Sequence, residues 1–235
     1  MSLCSLKSNE DNLMEEDMKK KFSLYDKDIR EDLFIYLEEL YGKIRILEEV
    51  NIGDSRADAI GIIDGALIGI EIKSDADTYT RLKSQVKDYD AFFDYNYLVV
   101  GSSHGAHAME HVPDNWGIIS VELVEERLDF YILRATSPNE NVSLANKLSL
   151  LWRPELAHIQ QIMGMHKYDY KSKAFVREKI LDTVPKERLD DLISEELFER
   201  DYEIIRQQIN DFRESKGLKK RRNLKRRVHR KKKKL

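Results

Sequence analysis

Two strand-like runs joined by a two-residue turn constrain this chain more than any other feature. The runs ADAIGIID (57–64) and ALIGIEIK (66–73) meet at Asp64-Gly65, a dipeptide that strongly favours a tight β-hairpin. If this dipeptide forms the turn, the numbers of paired residues sum to 129. Asp58 then lies directly opposite Glu71 on one face, because side chains alternate between the two faces of a sheet.

The charged residues of this hairpin lie where folding alone does not favour them. Two opposed carboxylates about 5 Å apart on a half-buried sheet repel each other unless a cation lies between them. Hard divalent ions such as Mg²⁺ bind few carboxylates and keep several waters, so Asp58 and Glu71 predict a metal site. Lys73, on the same face, could orient a water or stabilise charge on a phosphate. The alternative is an ordinary ion pair of Lys73 with one carboxylate, which leaves the other carboxylate unpaired.

Hydrophobic periodicity predicts an α/β chain that ends in helices. No apolar run is long enough to span a bilayer, and the N-terminus lacks the apolar stretch of a signal peptide. We therefore expect a cytoplasmic protein without a membrane partner. Strands are predicted over 43–50, 57–64, 66–73, 95–101, 117–122 and 128–135. Helices are predicted over 28–42, 78–93, 143–152, 154–163, 173–181 and 186–215.

The charge is divided unevenly along the chain. Residues 216–235 hold 13 of the 40 lysines and arginines and no acid, which leaves residues 1–215 with a net charge of −16. A block of like charge cannot be buried, so this tail is expected to be disordered and to bind polyanions; a merely solubilising tail is the alternative. The predicted segments are a flexible N-terminus (1–25), a core (26–138), a helical extension (139–215) and the basic tail (216–235).

The order helix, three strands, helix, strand, with Asp58 on the second strand and Glu71-Ile72-Lys73 on the third, resembles the PD-(D/E)XK nuclease superfamily. Over residues 28–101 the spacing is similar to archaeal Holliday-junction resolvases and to compact, uncharacterised bacterial members. The resemblance implies a restriction-endonuclease-like core with a C-terminal helical extension, and hydrolysis of DNA with Mg²⁺ or Mn²⁺. The chain departs from the family at Ala57, where the family has a proline that shapes the backbone.

The resemblance also implies a role for each matching residue. Asp58, Glu71 and the backbone carbonyl of Ile72 would bind the metal, and Lys73 would act on the attacking water. Glu31 matches a helical glutamate that contacts the metal or its waters in the family. The alternative for this glutamate is a solvated acid in the first turn of a helix, where the helix dipole favours negative charge.

A second helix adds to the predicted site. Gln85 and Tyr89, one turn apart, are similar to the Gln-x-x-x-Tyr pair of the RecB-like branch, and Gln85 completes the predicted catalytic set. Contacts with nucleic acid are expected from Arg56, Lys83 and Tyr89. The alternatives are solvated surface charge for Arg56 and Lys83, and core packing for Tyr89. The tail adds further expected contacts: Lys219, Lys220, Arg221, Arg222, Arg226 and Arg227.

The sequence favours a DNA endonuclease of a repair, restriction or mobile-element setting over two other classes of protein. The first is a catalytically inactive module of the same fold that binds nucleic acid, RNA included. The second is a helical adaptor in which residues 143–215 bind a protein partner or a second copy of the chain. His104, His107 and His111 have the spacing of zinc ligands, but no cysteine lies nearby, so incidental histidines are expected.

Overall fold

The computed structural model describes residues 26–74, 78–101, 107–125 and 127–217. The predicted segment 1–25 and the tail from residue 218 onward lie outside these ranges. The described residues form a six-stranded mixed sheet with helices, so the fold is α/β. Within these ranges, no helix has the length and apolar character needed to cross a membrane.

The strands lie in the sheet in the order in which they occur in the chain. Pairing is antiparallel within β1–β2–β3 and between β5 and β6, and parallel along β3–β4–β5. The strands are β1 (Arg45–Ile52), β2 (Ser55–Ile63), β3 (Ala66–Lys73), β4 (Tyr95–Gly101), β5 (Gly117–Val124) and β6 (Arg127–Arg134). The helices are α1 (Asp26–Tyr41), α2 (Leu82–Phe92) after a 3-10 turn (Tyr79–Arg81), α3 (Leu144–Ser149), α4 (Arg153–Ile162), α5 (Lys173–Thr183), α6 (Lys186–Phe198) and α7 (Tyr202–Ser215).

The β2–β3 hairpin forms in the predicted register. Ala59 pairs with Ile70 and Ile63 pairs with Ala66, so the paired numbers sum to 129. Gly65 in the turn has a φ of 69°, in the left-handed region that glycine adopts without a steric penalty. The turn dipeptide therefore fixes which residues of the hairpin face each other.

The two faces of the sheet belong to two separate hydrophobic clusters. Helix α1 packs in one cluster, and helices α2 to α6 pack in the other. Because α3 to α6 share a cluster with the sheet, one compact unit runs through the predicted boundary at residue 138 and ends at Phe198. A second unit begins at Glu199. The alternation predicted for the hairpin is confirmed, with one face holding Ala59, Ile68, Ile70 and Ile72 and the other holding Ile60, Ile62 and Leu67.

The single helix predicted over 186–215 is wrong, because two helices, α6 and α7, form there. Asp201 is the N-cap of α7, and its carboxylate accepts the N–H groups of Glu203 and Ile204 at 2.8 and 3.0 Å. An acid at this position satisfies N–H groups that have no acceptor at the start of a helix. The other predicted helices and strands form within about a turn of their predicted ends.

A buried ammonium joins the C-terminal helices to the sheet. Lys147 of α3 is fully buried, and its Nζ donates to Asp94 Oδ1 and Oδ2 at 3.0 and 2.8 Å and to the carboxylate of Asp190 on α6. The N–H of Gly65 in the hairpin turn donates to Ser194 Oγ of the same helix at 3.0 Å. Hydrogen bonds as well as apolar contacts therefore hold the helices against the sheet.

Candidate active site

An open cleft of about 530 Å³ lies at the end of the β2–β3 hairpin that is remote from its turn. It contains four of the five residues predicted to be catalytic: Asp58, Glu71, Lys73 and Gln85. The fifth, Glu31, is exposed on α1 and does not line the cleft. The complete lining is Asn51, Asp54, Ser55, Arg56, Asp58, Glu71, Ile72, Lys73, Arg81, Ser84 and Gln85.

Glu71 is a buried carboxylate of this cleft, with only 1% of the residue exposed. Its Oε1 accepts Gln85 Nε2 at 2.5 Å and also accepts the ammonium of Lys73. Its Oε2 accepts the hydroxyl of Tyr89 at 2.7 Å. Three donors, one on β3 and two on α2, therefore fix the orientation of this carboxylate.

Tyr89 is fully buried, and its hydroxyl connects the two strands of the hairpin. The hydroxyl accepts the N–H of Asp58 at 3.3 Å and lies 3.1 Å from the carbonyl oxygen of Ile70. Burial, followed by the negative charges of Glu71 and Asp58, raises the pKa of the Tyr89 hydroxyl well above its ordinary value of 10.0. Gly69 leaves room for the ring, because a Cβ there would lie 2.6 Å from Tyr89 Cδ1. A buried side chain presents no surface to nucleic acid, so the structure favours the packing alternative for Tyr89, and its hydroxyl orients Glu71.

Replacing Tyr89 with phenylalanine should lower the free energy of unfolding by about 1–3 kcal/mol, because buried polar groups of Glu71 and Asp58 lose a partner. Since the pKa is raised in the folded state, this contribution should be present below pH 10 and be lost only at higher pH. Urea denaturation measures the change. The control is Tyr131→Phe, which removes an exposed hydroxyl that bonds to Asp129 at 3.3 Å. Equal losses in the two variants would contradict the proposed role of Tyr89.

Asp58 lies at a gap in the strand pairing. The β1–β2 register skips this residue, and the β2–β3 register ends at its neighbour Ala59. The backbone N–H of Asp58 donates to the Tyr89 hydroxyl, and its carbonyl accepts Nη1 of Arg30 at 3.2 Å. Its carboxylate Oδ2 accepts the N–H of Ile72 at 2.9 Å. The side chains of Tyr89 and Arg30 therefore bind the backbone N–H and C=O of Asp58, which a neighbouring strand would bind elsewhere in the sheet.

Arg30 of α1 lies beside Asp58 and is not among the residues predicted for the site. Its Nη2 is 3.5 Å from Asp58 Oδ1 and 3.0 Å from Glu49 Oε1, and its Nη1 is 3.3 Å from Glu48 Oε2. The carboxylate that the sequence left unpaired is therefore balanced by a cation from a helix 28 residues earlier in the chain. No local pattern marks this contact, because it depends on how α1 packs against the sheet.

Only some of the residues predicted to contact nucleic acid line the cleft. Arg56 lines the cleft and is exposed, whereas Lys83 is exposed on α2 but does not line it. Arg81 and Ser84 line the cleft instead. Residues four apart lie on the same side of a helix. The predicted position of Gln85 in the site could therefore have indicated that Arg81 lines the cleft as well. The predicted tail contacts lie outside the described residues: Lys219, Lys220, Arg221, Arg222, Arg226 and Arg227.

The donor set of the cleft fits a hard divalent ion. The Glu71 carboxylate offers about four lone-pair sites, more than the three donors described above occupy. The N–H and C=O of a paired strand residue point to the same side, so the carbonyl of Ile72 faces the gap at Asp58. Gln85 Oε1 is buried and has no hydrogen-bond partner among the described residues, and a metal-bound water would supply one. The described residues contain no group of three or more His, Cys, Asp and Glu side chains placed to hold a metal, so waters would complete the coordination.

Comparison with known proteins relates nearly the whole chain to one family. Residues 11–225 match the family described as Bacteriophage P4 protein cII, a description that names no activity. No curated protein matches the chain. A solved structure described as SPO1766 protein of unknown function from Silicibacter pomeroyi is similar, at 18% identity and a TM-score of 0.37. This similarity covers 56% of this chain and 88% of that chain.

Proposed function

We propose that this chain, which belongs to the bacteriophage P4 protein cII family, is a metal-dependent phosphodiester hydrolase that acts on DNA. The observation that supports the proposal is the convergence of Asp58, Glu71, Lys73 and Gln85 on one cleft. These residues come from two strands and a helix, and their types match the PD-(D/E)XK pattern. The element order from α1 to β4 matches that pattern too, so the finer fold we propose is a restriction-endonuclease-like core.

In this proposal each residue of the cleft has a defined task. Asp58, Glu71 and the carbonyl of Ile72 would hold Mg²⁺ or Mn²⁺, which supplies Lewis acidity towards the phosphodiester and the attacking water. Lys73, whose ammonium donates to Glu71, orients that water or stabilises negative charge on the phosphate. Gln85 fixes Glu71 through its amide N–H and offers its buried carbonyl to a water.

Charge supports DNA as the substrate. Arg56 and Arg81 are exposed side chains of the cleft, where they can contact phosphates on either side of the bond to be cleaved. The net charge of −16 on residues 1–215 repels a polyanion at long range, so the 13 positive charges of 216–235 would supply the attraction. RNA carries the same phosphates and is the alternative polymer.

Deleting residues 216–235 should weaken DNA binding at low salt and flatten the slope of log K against log salt by several units, since 13 positive charges are removed. Fluorescence anisotropy over a salt series measures both effects, and the melting temperature should not change. A control chain with the tail sequence scrambled should bind like the original, because phosphate contacts do not depend on tail sequence. An unchanged slope after deletion would place the DNA anchor elsewhere, with the basic stretch 167–177 as the next candidate.

A nucleic-acid-binding module that does not cleave is the second candidate. Two ion pairs favour it, because Lys73 and Arg30 balance Glu71 and Asp58 without any metal. Such a module should bind DNA equally well in EDTA and in Mn²⁺, and it should leave every substrate intact. The helical adaptor predicted from residues 143–215 is less well supported, because α3 to α6 pack in the same hydrophobic cluster as the sheet.

A panel of labelled nucleic acids tests the proposed function. Linear duplex, single strand, nicked duplex, four-way junction and RNA are each incubated with the full chain in Mg²⁺, Mn²⁺ or EDTA. We expect at least one DNA to be cleaved with either metal and none in EDTA. Binding without cleavage across the panel would favour the second candidate, and cleavage confined to RNA would overturn the proposed substrate.

A further inference from the structure

The guanidinium of Arg30 lies between Asp58 and two other acids. Its contact with Asp58 Oδ1, at 3.5 Å, is longer than its contacts with Glu49 Oε1 at 3.0 Å and Glu48 Oε2 at 3.3 Å. Only 12% of the Arg30 side chain is exposed, whereas 50% of the Glu48 side chain is exposed. The arginine is therefore held inside the acid cluster, and its contact with the Asp58 carboxylate is the longest of its three contacts with carboxylates.

We propose that Arg30 is a positioning residue that occupies the Asp58 carboxylate until a divalent cation displaces it. This inference rests on the proposed function, which places a metal at Asp58. When the cation takes Oδ1, Arg30 keeps Glu48 and Glu49, so the displaced arginine is not left as an unpaired buried charge. In the metal-free site, Arg30 therefore keeps the Asp58 carboxylate oriented. Once the cation binds, Arg30 still donates to Glu48 and Glu49.

The backbone of Glu49 supports this arrangement. Glu49 has a φ of 58°, a left-handed conformation that is disfavoured for any residue except glycine. It lies in the β1–β2 register gap opposite Asp58, and its two carboxylate oxygens bind Arg30 and Arg56, the latter at 2.7 Å. Strained residues persist where the surrounding structure needs them. Here the strain keeps a second acceptor for Arg30 beside the proposed metal ligand.

Titration of the protein with Mn²⁺ alone, followed by the electron paramagnetic resonance signal of free Mn²⁺, tests the displacement without relying on activity. Arg30→Gln should bind Mn²⁺ roughly tenfold more tightly, because the competing positive charge is gone. Arg30→Lys keeps the charge but lacks the planar fork that spans three acceptors. We therefore expect its Mn²⁺ affinity to lie between those of the wild type and of Arg30→Gln.

The matched control is Arg188→Gln on α6. Arg188 forms exposed ion pairs with Asp191 and Glu195, at 3.7 and 3.6 Å, outside the cleft lining. The substitution removes the same charge from the chain, so an effect of net charge alone would appear in this variant as well. We expect its Mn²⁺ affinity to equal that of the wild type.

Unchanged or weaker Mn²⁺ binding by Arg30→Gln would overturn the displacement. A lysine variant that binds Mn²⁺ like the wild type would also overturn it, because the effect would then be one of long-range charge. Failure of the displacement and failure of the proposed function can be distinguished. If the wild type cleaves nothing while Arg30→Gln binds Mn²⁺ more tightly, the displacement stands and the hydrolase assignment fails. If the wild type cleaves DNA and Arg30→Gln shows no gain in Mn²⁺ affinity, the hydrolase assignment stands and the displacement fails.

Discussion

Replacing Lys73 with methionine should lower the turnover of DNA cleavage by roughly 100-fold or more while the protein still binds Mn²⁺. Methionine keeps the apolar stem of the side chain but removes the ammonium that donates to Glu71. Because this ammonium and a divalent cation would both bind the Glu71 carboxylate, Mn²⁺ affinity should stay the same or rise. Single-turnover cleavage of a labelled DNA and calorimetric titration with Mn²⁺ measure the two quantities.

The control for this experiment is Lys87→Met, which removes the same charge from an exposed position on α2 outside the cleft lining. Its turnover should stay close to that of the wild type. The catalytic role of Lys73 would be contradicted by full turnover in Lys73→Met. It would also be contradicted by equal losses in the two variants, which would indicate a general effect of charge on DNA binding.

Replacing Lys147 with methionine should destabilise the fold by about 3–5 kcal/mol, the range for breaking a buried ion pair from one side. Lys147 is fully buried, and its ammonium binds Asp94 and Asp190. Both aspartates are at most about one-fifth exposed, so water can replace the lost ammonium only in part. The midpoint of urea denaturation, with its slope, gives the change in the free energy of unfolding.

Lys179→Met is the matched control for Lys147→Met. Lys179 forms an ion pair of similar length with Asp182, 3.0 Å, but both side chains are well exposed. Exposed pairs contribute at most about 1 kcal/mol, so the control should lose far less stability than Lys147→Met. If the two variants lost similar amounts, burial of the Lys147 network would not be what stabilises the helices on the sheet.

Local chemistry was enough to predict the hairpin and the residues that share its cleft face. Asp64-Gly65 fixes the turn, and the turn fixes the register. The register places Glu71 and Lys73 on the face opposite Ile68, Ile70 and Ile72. The break at Asp201 was also present in the sequence, as an acid at a helix start, but the apolar spacing on both sides concealed it. These features depend on residues close together in the chain.

Features that depend on distant residues could not be predicted. A lysine in a helical run is expected to be exposed, and only the meeting of α3, α6 and Asp94 makes Lys147 a buried partner. Arg30 is similar, because its contact with Asp58 requires α1 to pack on one face of the sheet. An unpaired carboxylate supported the metal prediction, and Arg30 provides a partner for that carboxylate. The observations that support a metal are the cleft, the lone pairs of Glu71 and the Gln85 oxygen that has no partner among the described residues.

The most direct test of the central claim is the cleavage of DNA by the full chain and by Glu71→Gln, purified in parallel and assayed in Mg²⁺ and in EDTA. Glutamine keeps the size of the Glu71 side chain but removes the charge that would bind the metal, and parallel purification exposes any contaminating nuclease. We predict products only with the wild type in Mg²⁺, and none from Glu71→Gln or in EDTA. Equal cleavage by the two proteins, or no cleavage by a folded wild type that binds DNA, would contradict the assignment of this cleft as a hydrolase site.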